Sequence, residues 1–222
     1  MLEAGNARHR SLMEKVRKRF DFGKYKRLLD HPDGTLLNGR RVCQLKDKGF
    51  SIHMNEYAKN LKPVKLGRKL NESGTPVPLL ESEMNQIRGA NGSIQWLATQ
   101  GRPELAAASS IIPSGFPSPT SQLVSDINHV IKTAKDLTYE LRIWPIPASE
   151  RRHCAFFDAS YDNKGERNQL GVIIGCCSTK LNKGVEDTFS MVFGRAPSWN
   201  SRSRQHLRTT PRPMQHTRLP CT

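Results

Sequence analysis

Two apolar runs of strand length, residues 153–161 (HCAFFDASY) and 170–177 (LGVIIGCC), flank a polar loop. The loop holds Asp162, Asn163, Lys164, Gly165, Glu166, Arg167 and Asn168. Short apolar runs bounded by such a loop predict two antiparallel strands joined by an open hairpin. A third strand is predicted over 188–193, after a turn at 181–184. Upstream the period changes. Leu123, Ile127, Val130, Ile131 and Ala134 recur at three- and four-residue spacing, which predicts a helix over 121–137 with Lys132 and Lys135 outside. Met84, Ile87, Ile94, Leu97 and Ala98 predict a second helix opening at Glu81 or Ser82. Gly89 and Gly92 interrupt it at about 1 kcal/mol each relative to Ala, unless close helix contact needs them. Pro103 suits the first turn of a helix over 103–112, and the prolines of 112–120 stop it.

The first part of the chain is less regular. Leu12, Val16 and Phe20 lie four apart and predict a short amphipathic helix over 11–20 with a basic second face. Residues 40–45 and 50–53 read as short strands around the turn-like KDKG at 46–49. Asn55 is placed to cap a helix over 56–61, which Pro63 ends. A strand over 139–143 and the rigid WPIP at 144–147 lead into the hairpin. The whole predicts an α+β chain in five stretches: 1–62, a connector over 63–78, a helical part over 79–137, the hairpin region 138–193, and 194–222. The last stretch has six arginines, no acid and no periodic apolar face, which predicts a disordered basic tail.

Charge narrows the partners. The 222 residues carry 35 Lys and Arg against 20 Asp and Glu, a formal net charge of +15. Such an excess favours polyanions, nucleic acid first and an anionic membrane surface as the rival. Between Arg8 and Arg27 stand nine basic residues and two acids, Glu14 and Asp21. The candidate phosphate contacts are Arg17, Lys18, Arg19, Lys24, Lys26 and Arg27, with Arg202, Arg204 and Arg208 in the tail. The plain alternative is a solvated face on a basic protein. No apolar run reaches the ~18 residues a bilayer span needs, and no apolar signal segment follows Met1. Five cysteines with no CxxC spacing argue against a disulfide framework or zinc knuckle, and so for a reducing, intracellular setting and no disulfide-linked partner.

Two further side chains bear on chemistry. Asp158 follows the two phenylalanines of the first hairpin strand, where a fixed carboxylate can hold a divalent cation or simply face solvent. Trp96 reads as a helix-packing aromatic, with stacking on a base as the alternative.

Several of these pieces carry a resemblance. Residues 20–24, 40–45 with 49–61 (GFSIHMNEYAKNL), 94–106 (IQWLATQGRPELA) and the FFDAS strand occur in the order seen in copia-type retrotransposon polyproteins. The resemblance covers roughly residues 12–180. Its most specific piece is Trp96, Leu97, Ala98 and Thr99 with Arg102, Pro103, Glu104 and Leu105, where Gly101 and Glu104 depart from the family pattern. Ser198, Trp199, Asn200, Ser201 and Arg202 resemble a worn copy of a family turn. The resemblance implies the end of a reverse transcriptase palm, a helical thumb-like part with Trp96, Leu97, Arg102 and Pro103 as structural residues, and the first strands of an RNase H-like sheet.

It also implies what catalysis would require. In that family the reverse transcriptase holds two Mg²⁺ ions on an aspartate pair and a third aspartate, and its RNase H site adds a Glu and two Asp to the counterpart of Asp158. This chain has no Asp-Asp pair, and no acid follows Asp187. The expectation is a catalytically inactive remnant of the polyprotein, with Asp158 an insufficient catalytic carboxylate and at most a weak Mg²⁺ ligand. The arginine-rich end reads as sequence that has left the parental frame. The rival expectations are a non-enzymatic basic protein that binds nucleic acid or a partner through 82–137, and a fragment without a role.

Overall fold

The fold is described from a computed structural model, for residues 7–21, 23, 26, 28–67, 76–160, 167–196 and 198–200. In chain order its elements are α1 (Ala7–Arg19), β1 (Thr35–Leu37), β2 (Arg40–Gln44), β3 (Phe50–His53), α2 (Asn55–Lys59), α3 (Glu81–Gln100), α4 (Ala106–Ile111), α5 (Ser121–Asp136), β4 (Leu141–Ile143), β5 (Arg151–Ser160), β6 (Arg167–Ser178), β7 (Phe189–Arg195) and β8 (Ser198–Asn200). Helices and two antiparallel sheets make it α+β.

The two longest apolar stripes meet each other. Met84, Ile87, Ile94, Leu97 and Ala98 of α3 and Leu123, Val124, Ile127, Ile131 and Ala134 of α5 are buried in one cluster. Met54, Ala58 and Leu61 close it from the α2 side, and Leu105 and Ile112 from the α4 side. Burying each large aliphatic side chain stabilises by about 1.5–3 kcal/mol, so this cluster supplies most of the hydrophobic stabilisation of the helical layer. The α3 start is fixed by Glu83, whose carboxylate accepts the Leu80 N–H at 2.8 Å as the N3 half of a capping box. Leu79 N donates to Pro119 O at 3.0 Å and Ser121 N to Val77 O at 2.8 Å, pinning the starts of α3 and α5 together.

Gly89 and Gly92 lie on exposed turns of α3, and a Cβ at either would meet nothing within 4 Å. Close helix contact is therefore not why they are glycine. Gly89→Ala is expected to stabilise the protein by about 1 kcal/mol through helix propensity, read as a higher urea midpoint at unchanged slope. An unchanged or lower midpoint would contradict this.

The first sheet runs β1-β2-β3-β4. Asn38 and Gly39 both have positive φ, 49° and 79°, between the register partners Leu37 and Arg40. That is the two-residue hairpin turn whose twist matches the flanking strands, and a glycine at the second position adopts it without strain. The β2–β3 turn is held by Asp47, which accepts the Gly49 N–H at 2.9 Å and an Arg142 N–H at 2.8 Å. The Gly49 bond, then Arg142, hold its carboxyl below the ordinary value of 3.8. Strand β4, grouped by the sequence pattern with the hairpin, pairs instead with β3, Phe50 opposite Ile143. Asn55 does not cap α2. Met54 occupies that position, and Asn55 Oδ1 accepts the Tyr139 N–H at 3.1 Å, tying α2 to the start of β4.

The predicted connector is partly built into the core. Val64 is buried, and its N–H and C=O pair with the Asn128 side chain at 2.8 and 2.9 Å. The second sheet runs β5-β6-β7, with β8 beside β6. The expected hairpin is present, Arg151 opposite Ser178 through Ser160 opposite Gln169. Side-chain hydrogen bonds tie this sheet to the rest of the molecule. Trp144 N donates to the buried Ser190 Oγ at 2.8 Å, and Gln169 Nε2 donates to Ala107 O at 3.2 Å and to Ser110 Oγ at 2.5 Å.

Two expectations are corrected. Residues 194–196 and 198–200 do not belong to a disordered tail: β7 extends to Arg195, and β8 pairs with Arg167–Gln169 of β6, while 201–222 lie outside the described residues. Main-chain pairing on an open strand end supplies order that a search for side-chain periodicity does not detect. In α1 the partly covered side chains are His9, Met13 and Val16, whereas Leu12 and Phe20 are exposed. The stripe of i, i+4, i+7 positions that packs is rotated from the one the sequence suggested. Among the described residues, no helix is long and apolar enough to cross a membrane.

Candidate nucleic-acid interface

Helix α1 has no fully buried residue, and Arg8, Arg10, Lys15, Arg17, Lys18 and Arg19 are all exposed on it. Its last turn is Arg17, Lys18 and Arg19, where cations are favoured by the partial negative charge of the helix C-terminus. Glu14 is the acid on this surface. Lys26 is exposed as well; Lys24 and Arg27 lie outside the described residues, as do Arg202, Arg204 and Arg208. What can be placed is therefore a short cationic helix, able to sit along phosphates but carrying no arrangement that reads bases.

A second basic feature was not legible from charge runs. A cleft of about 270 Å³ opens where the first sheet, the end of α3 and β7 meet, with Arg40 and Arg195 among its lining residues. Ile52, Ile143, Met191 and Phe193 line its apolar walls. Arg40 Nε is buried there and has no hydrogen-bond partner among the described residues. Arg40 and Arg195 are far apart in sequence, and only the β2 and β7 placements bring them to one cleft.

Asp158 stands on β5 opposite Gly171 and is exposed. Its Oδ1 accepts the N–H of its neighbour Ala159 at 2.8 Å. Two-ion phosphoryl chemistry needs several converging carboxylates. Among the described residues, no group of three or more His, Cys, Asp or Glu side chains is placed to hold a metal ion. Among the described residues, the donors around Asp158 do not make a site for a pair of Mg²⁺ ions.

The motif residues separate into two kinds. Leu97 is fully buried in the helical core. Arg102 is 1% exposed: Nη1 donates to Ala134 O at 3.1 Å, Nε pairs with the Glu104 carboxylate, and the guanidinium lies 5.7 Å from the Tyr139 ring centre. Burial, then the Glu104 charge, raise the Tyr139 hydroxyl above its ordinary value, and Arg102 opposes them. Pro103 packs against β7, where a Cβ added to Gly194 would lie 3.1 Å from Pro103 Cβ. Trp96 departs from the expected packing role, being 43% exposed on the outer side of α3.

The second sheet also carries thiols. Cys154, Cys176 and Cys177 are free, and the fully buried Cys177 is pushed up to about 11 by its bond with the Cys154 thiol and then by burial. The Cys177 thiol is therefore protonated and unreactive near neutral pH. No protein-family model, curated protein or solved structure matches this chain.

Proposed function

We propose that this chain is a catalytically inactive stretch of a copia-type retrotransposon polyprotein, spanning the end of a reverse transcriptase and the start of its RNase H part. Its remaining biochemical capacity is weak, sequence-independent contact with nucleic acid through basic surface. The observation that carries this reading is the exposed cationic helix α1 in a chain whose described carboxylates do not converge on a metal site. The order of motifs supports it, with the WLAT and RPEL segments on α3 and its exit, and Asp158 on the first strand of the β5-β6-β7 sheet. Any Mg²⁺ held by Asp158 is held loosely.

The test is a titration of the full chain against random DNA, RNA, RNA–DNA hybrid and heparin between about 50 and 300 mM salt. Affinities should be similar across the four and fall steeply with salt, since each Lys or Arg contact to phosphate releases a counterion. Reversing Arg17, Lys18 and Arg19 to glutamate should weaken all four alike and flatten the salt slope. Tight hybrid-selective binding at the high-salt end, or EDTA-sensitive nucleotide incorporation or hybrid cleavage by the purified chain, would overturn the reading.

A further inference from the structure

Strand β5 is an open edge. It pairs with β6 on one side, and among the described residues nothing pairs on the other. It is ten residues long, RRHCAFFDAS, without proline, glycine or lysine, and all but Cys154 are exposed. Edge strands in monomers are commonly blunted by prolines, bulges, charged side chains or shortness; β5 is long and has no proline or bulge, and its charges stand only at Arg151, Arg152 and Asp158. Its centre, His153–Phe157, holds no Asp, Glu, Lys or Arg and is flanked by Arg151 and Arg152 on one side and Asp158 on the other.

Those charges select a partner. Two copies of a strand can pair edge to edge around a two-fold axis only antiparallel, and the axis must then stand perpendicular to the sheet. That symmetry keeps each face on its own side, so a residue meets only residues separated from it by an even number of positions. Register centred on Ala155 places Asp158 of each copy opposite Arg152 of the other. Arg151 lies on the opposite face from Asp158 and cannot be its direct partner. Shifting the centre to Cys154 sets Asp158 against Glu150, and shifting it to Phe156 sets Asp158 against Cys154. Centring on Asp158, Arg151 or Arg152 opposes like charges, which destabilises a ladder. One register alone satisfies the strand with itself.

We propose that β5 pairs with β5 of a second copy of this chain, antiparallel and centred on Ala155, joining two sheets into one. The paired edge supplies main-chain hydrogen bonds, and the register sets His153 opposite Phe157 and Cys154 opposite Phe156. In the separate chain the two charged side chains are turned onto their own backbone: Arg152 Nη1 donates to Arg151 O at 2.9 Å, and Asp158 Oδ1 accepts the Ala159 N–H. Pairing releases them toward each other. Exposed Phe156 (52%) and Phe157 (77%) lie on opposite faces of β5, and each gains a cross-strand neighbour.

Nuclease-treated full chain is followed by sedimentation velocity over a hundredfold concentration range, with circular dichroism confirming that each variant is folded. Wild type should dimerise. Arg152→Asp and Asp158→Arg should each weaken dimerisation about tenfold or more, because each creates two like-charge pairs across the axis. Mixed in equal amounts, the two variants should form a heterodimer of wild-type affinity. The introduced acid of one chain then faces the introduced base of the other, and the native Asp158 of the first faces the native Arg152 of the second. A structural defect in either variant is not repaired by mixing. A wild type that stays monomeric throughout overturns the proposal. So do folded single variants that dimerise like wild type, or a mixture no tighter than its components.

Discussion

Arg102→Ala is expected to lower folding stability by about 3 kcal/mol, well beyond an ordinary surface substitution. The guanidinium is almost wholly buried at the exit of α3, and its removal leaves Ala134 O at the end of α5 without its donor. The Glu104 side chain is 38% exposed and retains water, which keeps the cost at the lower end of what breaking a buried ion pair incurs. Arg102→Met keeps part of the packing but restores neither bond, so its loss should be intermediate. Arg102→Lys retains charge without the planar fork that reaches both Ala134 O and Glu104. Urea midpoints of the four proteins give the ordering, with alanine lowest. In Arg102→Ala the Tyr139 hydroxyl should also titrate at higher pH, because the cation opposing burial and Glu104 is gone. Stability within about 0.5 kcal/mol of wild type would mean that Arg102 does not hold the exit of α3 to the end of α5.

How far the sequence anticipates this structure depends on what kind of signal each element carries. Helices α3 and α5 are strongly periodic, and their stripes identify the residues that meet in the core. The β5–β6 hairpin is similarly plain, because two apolar runs flank a polar loop. Strand β1 is short, yet Asn38-Gly39 between Leu37 and Arg40 is a strong local hairpin signal that the apolar pattern overshadows. Asn55 shows the opposite failure. Its type suits a helix cap, but a main-chain N–H from Tyr139, distant in sequence, takes the side-chain oxygen. Strand β8 and the Arg40–Arg195 cleft depend on pairings between distant segments, which local periodicity does not encode. Of the candidate contact residues, Arg17, Lys18 and Arg19 lie exposed in the last turn of α1. Asp158 was legible as a strand carboxylate, but whether other carboxylates converge on it is a property of the tertiary fold.

The neighbours Leu97 and Trp96 should respond oppositely to truncation, although both belong to the most distinctive motif in the chain. Leu97 is fully enclosed by the helical core, so Leu97→Ala removes buried methyl groups and leaves a cavity that α3 and α5 cannot readily close. A loss of about 2–5 kcal/mol is expected, enough to consume much of the stability of a domain this size. Trp96 is 43% exposed, one position round the helix from that core, and Trp96→Ala should change stability by less than about 1 kcal/mol. Chemical denaturation followed by circular dichroism measures both, since Trp96 itself cannot then serve as the probe. The same Trp96 variant bears on recognition. A base stacked on an aromatic ring contributes about 1–3 kcal/mol, which would appear as a loss of single-strand affinity of roughly tenfold. Contact through phosphates alone predicts no such loss: Trp96→Ala should bind single strands and duplexes within about twofold of wild type, with the same salt slope. A tenfold loss confined to single strands would instead assign Trp96 to base stacking, and α3 would join α1 as part of the interface.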